Sequence, residues 1–264
     1  MLGSKKAAID FDEQPLPSAT LQIRIPAGEF IMGTSNQQIQ SLLRTEEWAN
    51  EWIEKDLFKI EQPQHIIALP AYSIARTPVI NHEYQEFILD TNHRVPRHWM
   101  GFSFPEETEN HPVTEVSLAD ALAFCSWLSK KTGSTFRLPT EAEWERAARG
   151  DDGRMYPWGN EFDPWRCNTK ERGKSGATPI LSYSPGGDSP WGAADMSGNV
   201  MEWTHSTMQP YPFKQIPPQS GKEECVVRGG SWYYSRRLAR CSSRETVLST
   251  LTSPALGFRV VQTD

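Results

Sequence analysis

From Asp151 to Asp264 the chain shows no helical hydrophobic period. What recurs instead is a series of short pieces bearing tryptophan or glycine: YPWGN, SPGGDSPWG, SGNVMEWT, VVRGGSW and LGFRVV. An irregular stretch of that length is uncommon in a compact domain unless it is functional or held by its own side chains. Trp158, Trp165, Trp191, Trp203 and Trp232 are spaced along it as candidate anchors, each with a large area to bury. The 18 glycines and 20 prolines among 264 residues demand frequent turns. A helical bundle is therefore excluded, and an ordered, loop-rich α+β domain is expected.

The first half is more regular. Alternation over LQIRIPAGEFIMG predicts a strand, a turn at Pro26-Ala27-Gly28 and a second strand, a hairpin opening the domain. Residues 36–60 are polar and helix-prone, as one helix or two, with Leu42, Leu43, Trp48, Trp52, Ile53 and Leu57 on the apolar stripe. Strands at His65–Leu69 and around Tyr72–Ala75 precede a helix whose inner face is Ile80, Tyr84, Phe87 and Ile88. A second helix starts at Ser117 and ends at Gly133, with Cys125 on its buried stripe. A third starts at the Thr140/Glu143 capping box, with Trp144 and Ala147 inward. The expectation is about three helices with short strands.

Residues 1–20 carry Pro15 and Pro17 without hydrophobic period and read as a flexible arm or linker; 21–264 read as a single domain. MLGSKKAAIDFDEQ lacks the apolar run of a signal peptide, and no later stretch is long and apolar enough to span a bilayer. The chain is expected to be cytoplasmic and to have no membrane partner. Its 27 basic and 33 acidic residues give a net charge of −6, so no overall basic field attracts nucleic acid. Cys125, Cys167, Cys225 and Cys241 form no CxxC pair, and reduced thiols are expected. The six histidines show no HxxxH or HxxxxH spacing with a nearby acid, and His93 and His98 fall in a loop rather than on one helical face, which argues against a histidine-held catalytic metal.

PAGEFIMG at 26–33, HPVTEVSLADALAFCSWL at 111–128, RLPTEAEWERAARG at 137–150, YPWGN at 156–160, GNVMEWT at 198–204, RGGSW at 228–232 and GFRVV at 257–261 occur in series. In this the chain closely resembles the formylglycine-generating-enzyme, or sulfatase-modifying-factor, family over nearly all of 21–261. The resemblance implies a variant of the C-type lectin fold. It also implies where an oxidase would keep its chemistry, because those enzymes hold copper on two cysteines five residues apart, shortly after GGS. The corresponding positions here are Tyr234 and Ala239. Neither supplies a soft thiolate for Cu(I), so no copper is expected, and Cys241 alone cannot replace the pair.

Asp195-Met196-Ser197-Gly198-Asn199-Val200-Met201-Glu202 places two carboxylates around a tight Gly-Asn turn, hard oxygen donors of the kind calcium takes. The resemblance implies a structural calcium held by Asp195, the carbonyls of Gly198 and Val200, and Glu202. The alternative is that Asp195 caps a turn and Glu202 pairs with an arginine. A second family calcium site would fall near Asn168, Thr169 and Glu171, where the loop departs from the enzymes' pattern.

Between RGGSW and GFRVV lie 24 residues, Tyr233 to Leu256, framed by recognisable motifs yet unlike the oxidases. This frame also resembles the variable region of retroelement-diversified proteins, in which randomised adenines exclude Lys, Gln, Glu, Met and Trp; within 233–256 only Glu245 breaks that rule. The expected ligand-binding residues are Trp232, Tyr233, Tyr234, Ser235, Arg236, Arg237, Leu238, Ser242, Ser243, Glu245, Thr246, Val247 and Leu248. Their aromatic and arginine content suits a protein ligand. Arg240 and Arg244 read equally well as scaffold arginines bonding loop carbonyls. The leading expectation is a non-catalytic binding domain on a calcium-stabilised frame. The alternatives are an enzyme of the same superfamily acting on a protein or peptide, with Cys241 to be tested, and a subunit bound or fused to a signalling protein through the 1–20 arm.

Overall fold

A computed structural model describes residues 21–212 and 224–263. The expected arm at 1–20 lies outside the described residues.

Short strands and helices are joined by long loops in the order β1 (Gln22–Ile25), β2 (Gly28–Met32), α1 (Asn36–Thr45), α2 (Trp48–Glu54), β3 (His65–Leu69), β4 (Tyr72–Ala75), α3 (Asn81–Thr91), α4 (Leu118–Thr132), β5 (Thr135–Arg137) and α5 (Glu141–Arg149). Then follow β6 (Met201–Thr207), β7 (Glu224–Arg228), β8 (Arg244–Leu248), β9 (Leu256–Gly257) and β10 (Val261–Thr263), with 3₁₀ turns at Leu57–Glu61, Lys170–Arg172 and Arg236–Leu238. Three sheets run β1-β4-β10-β5, β2-β3 and β8-β7-β6-β9. The α+β class is as expected. The helices number five among the described residues, because 36–60 forms two helices separated by Glu46 and Glu47.

The expected opening hairpin does not form. β1 pairs antiparallel with β4 and β2 with β3, so the two strands part company at Pro26 into different sheets. A guanidinium holds that corner: Arg146 donates to Pro26 O at 2.8 Å and lies where a Cβ on Gly28 would come within 2.9 Å.

Caps fix the helix starts. Ser117 Oγ accepts from Asp120 N while Asp120 answers to Ser117 N, and Thr140 with Glu143 repeats the arrangement for α5, satisfying amides that no helical carbonyl reaches. α4 ends at Gly133, φ 76°, a left-handed residue that costs glycine nothing. In α3 the predicted stripe is buried, and in α4 Leu118, Ala121, Cys125 and Leu128 are buried while the expected Leu122 is exposed; Tyr84, Phe87, Phe124 and Phe258 meet edge-on or stacked at 5.2–6.4 Å between centroids. Cys125 is buried on that stripe. In the 36–60 segment Leu42 and Trp52 are buried, but Ile53 and Leu57 are exposed and Ile39 and Phe58 take their places.

α5 is buried on every side. Its Glu141 binds Arg244 through both oxygens at 2.5 and 2.7 Å, while Glu145 binds Arg149 at 2.6 Å and also Arg228. Burial alone would raise the Glu145 carboxyl, yet Arg228 and Arg149 outweigh it and hold the group below the usual carboxylate range. This ionic centre joins α5 to β7 and β8 and so fixes the base on which the C-terminal segment stands.

Candidate functional site

The C-terminal segment leaves β7 through Gly229 and Gly230, φ 95° and 66°. A Cβ on Gly230 would lie 2.8 Å from Leu238 C, so glycine lets the chain fold back against its own 3₁₀ turn. Trp232 N donates to Asn199 O at 3.0 Å, Tyr234 N to Ser231 O at 3.1 Å, and Tyr234 O accepts from Lys170 N at 3.0 Å. Arg236 N donates to the Glu171 carboxylate at 3.0 Å, and its guanidinium pairs with Glu46 at 2.8 Å. On this pinned backbone Tyr233 is 62% exposed and Tyr234 36%, their rings edge-to-face at 5.2 Å. Trp232, Ser235, Arg236 and Arg237 are half-buried beside them; Glu245, Thr246 and Val247 are half-buried on β8, and Leu248 is exposed.

Three of the expected contact residues are not at the surface. Leu238 belongs to the main apolar core. Ser242 is buried, its Oγ accepting from Thr34 Oγ1 at 2.7 Å, and Ser243 is buried with its carbonyl taken by Arg228. The reason is the local fold: after the 3₁₀ turn the chain dives inward and resurfaces only along β8. Arg240 and Arg244 make that dive as scaffold. Arg240 binds Glu61 through both nitrogens at 2.7 and 2.8 Å, and Arg244 donates to Ile60 O and Gln209 O at 2.7 and 3.1 Å besides its pairing with Glu141.

At the two positions implied by the copper enzymes, Tyr234 points into solvent and Ala239 is buried. All four cysteines are free and buried. Burial pushes the thiols of Cys125, Cys167 and Cys241 up to about 12, so each favours the protonated form at neutral pH.

The Gly-Asn turn is tight, with Asp195, Gly198 and Asn199 all in the left-handed region at φ 57°, 78° and 64°. A Cβ on Gly198 would come within 2.5 Å of Asn168 O, so only glycine lets the two loops touch. Glu202 is buried and pairs with Arg259, which donates to Oε1 and Oε2 at 2.7 Å each, while Trp144 Nε1 donates to Oε2 at 2.8 Å. A carboxylate offers about four lone-pair directions, so one on Oε1 stays open. Asp195 Oδ2 accepts from Leu181 N at 2.9 Å, and burial pushes the group up to about 6, with no basic side chain in ion-pair contact among the described residues. A divalent ion here would be held by that half-buried carboxylate, with Glu202 offering its remaining lone pair. Nearby Asn168 Oδ1 and Thr169 Oγ1 are buried without a partner, while Glu171 has turned to Arg236. Among the described residues no three His, Cys, Asp or Glu side chains gather as a metal cluster.

Trp165 is a residue the sequence reading misplaced. Trp203 is a buried anchor, but Trp165 is 74% exposed, with Arg172 stacked on its ring at 4.1 Å. The 163–174 loop that carries it meets Tyr234 through Lys170. Its clustered cations were visible in the sequence; their contact with the C-terminal segment was not.

A profile described as the sulfatase-modifying factor enzyme 1-like domain matches residues 7–264. The formylglycine-generating enzyme of Streptomyces coelicolor is 31% identical over a 302-residue alignment covering 90% of this chain and 88% of its own. The mouse protein named inactive C-alpha-formylglycine-generating enzyme 2 is 28% identical, covering 90% and 84%. Among solved structures, Treponema denticola variable protein 1 superposes with a TM-score of 0.70 over 91% of this chain and 94% of its own at 22% identity, a likeness of fold.

Proposed function

The chain belongs to the sulfatase-modifying factor enzyme 1-like domain family, and from that premise we propose that it is a non-catalytic binding domain presenting the exposed part of 232–248 to a protein ligand. The carrying observation is the exposed Tyr233–Tyr234 pair on a hydrogen-bonded backbone, at the place where an oxidase of the family needs a thiolate. Rigid aromatic side chains bring contact area at low entropic cost. The family supports this use of the frame, since it includes a protein named inactive alongside one named an enzyme, and a variable protein shares the fold.

The binding residues on this reading are Trp232, Tyr233, Tyr234, Ser235, Arg236 and Arg237 with Glu245, Thr246, Val247 and Leu248 of β8. A calcium ion held by Asp195, Glu202 and the carbonyls of Gly198 and Val200 would brace the turn beneath them; its role is structural. Diversification, if present, is confined to 233–237 and 245–254, because 238–244 is interior. A near-identical template repeat and a reverse-transcriptase gene beside the coding sequence would establish it, and their absence reduces the site to ordinary ligand binding.

Incubation with a Cys-x-Pro-x-Arg peptide, copper and oxygen is expected to give no formylglycine by mass spectrometry, and formation of the aldehyde overturns the reading. Peptides selected from a random display library are expected to bind the wild type and to lose about 30-fold in affinity with Tyr233→Ala/Tyr234→Ala, about 1 kcal/mol for each ring. The melting temperature should be unchanged, as both rings face solvent.

A further inference from the structure

Resting on that reading of the face, we propose that its ligand is an acidic segment of a partner protein, whose carboxylates pair with Lys170, Arg172 and Lys174 while an apolar side chain lies between Trp165 and Tyr233.

The chain as a whole is acidic, net −6, but this face is not. Between Arg166 and Lys174 stand four cations and one acid, Glu171. That acid is already engaged, because its carboxylate accepts the Arg236 N–H at 3.0 and 3.2 Å. Arg166 has its own partner, Asp163, at 3.1 Å. Lys170, Arg172 and Lys174 have no carboxylate within ion-pair distance among the described residues. Other surface cations among the described residues do have a nearby acid, as Lys55 has Glu51, Lys59 has Asp56 and Lys131 has Glu86. Three unanswered charges within five residues are a local excess that a partner's carboxylates would neutralise.

The loop also presents them at fixed spacing. Asn168 Nδ2 donates to Gly176 O at 3.0 Å, Thr178 N donates to Asn199 Oδ1 at 2.8 Å, and Asn199 N donates to Asn168 O at 2.7 Å. Both ends of the loop are thus tied to the Gly-Asn turn, so little conformational entropy is lost on binding. Arg172 is further held by its stack on Trp165, and its Nε is buried with no acceptor. Exposures of 74% for Trp165 and 62% for Tyr233 leave apolar area beside the charges, where neutral peptide positions can dock.

Basic side chains interleaved with aromatics also suit single-stranded nucleic acid. A long polyanion, however, extends past the loop onto the rest of an acidic molecule, whereas a short acidic segment can lie wholly on the basic loop, beyond about one Debye length (about 8 Å at physiological salt) of most other charges. The protein segment is therefore the favoured occupant.

The test uses a random 12-residue peptide display library panned against the full chain, followed by affinity measurement on selected synthetic peptides. Enrichment of Asp and Glu among the binders is expected, with affinity falling as salt rises and falling about tenfold or more in Lys170→Glu/Lys174→Glu. Lys130→Glu, an exposed cation on α4, should leave binding unchanged. Circular dichroism and melting temperature of each variant report folding. Enrichment of neutral peptides that are lost in Tyr233→Ala/Tyr234→Ala but indifferent to the charge reversal overturns the acidic assignment and leaves the binding face standing. Binders indifferent to both double variants overturn the two together. A dT12 oligonucleotide that binds more tightly than the selected peptides, and is lost in the charge reversal, replaces the protein ligand with nucleic acid.

Discussion

Arg240 carries its charge into the interior between Trp48, Trp52 and Phe58, 5.4, 5.1 and 5.5 Å from their ring centroids, and both terminal nitrogens rest on Glu61. One residue thereby ties the 36–61 segment to the C-terminal segment, with Arg236–Glu46 as an outer counterpart at 2.8 Å. Breaking a buried pair by removing one partner strands the other, at a cost of about 3–5 kcal/mol. Arg240→Ala and Glu61→Ala should each lower stability by that amount in urea titrations, and the double variant by clearly less than the sum, because the second change relieves the stranded charge. An additive result would show that the two groups do not depend on one another. The sequence left Arg240 and Arg244 balanced between surface and scaffold, since an arginine looks the same in either place until its carboxylate, here 179 and 103 residues away, is located.

At the level of elements, legibility followed locality. α4 and α5 were readable because a cap, a stripe and a stop lie within one segment, and α3 from its stripe alone. The β1–β2 hairpin was misread because pairing partners come from elsewhere in the chain, and alternation does not say which strand lies alongside. α4 also shows how a cap acquires long-range weight. Asp120 accepts from Ser117 and is approached by His93 at 2.8 Å and by Arg94. Burial alone would raise its carboxyl, but these hydrogen bonds outweigh it and the group lies below the usual range. A depressed carboxyl stabilises the fold at pH values above its unfolded value, and that contribution is lost as the pH falls through its folded value. Asp120→Asn should therefore cost about 1–3 kcal/mol at pH 7, and its deficit relative to wild type should shrink below about pH 4. A deficit constant from pH 7 to 3 would assign the effect to packing.

Across the whole molecule the loops are held by polar and ionic links as much as by apolar packing, and the Gly-Asn turn gathers several of them: Asn168, Gly229 and Trp232 all bond to residues 198–199. A calcium ion there would stabilise the folded state alone, by about 2.7 kcal/mol at a hundredfold excess over its Kd. Adding calcium after chelation should raise the melting temperature of wild type by several degrees and leave Asp195→Asn unmoved. Glu202→Gln is the poorer probe, because it also disturbs Arg259 and Trp144. Equal calcium responses in wild type and Asp195→Asn would reject the site. Among the described residues no helix is long and apolar enough to cross a membrane. The sequence by itself determined the family, the α+β class, the capped helices and the absence of paired cysteines at 234 and 239, because each is written in local spacing or in the identity of single residues. Only the tertiary structure decided which of 232–248 face solvent, that Trp165 stands outside rather than in the core, and that an unneutralised basic loop lies against Tyr234. Those facts depend on contacts between segments far apart in the chain, where burial and charge pairing are settled by which side chains arrive together.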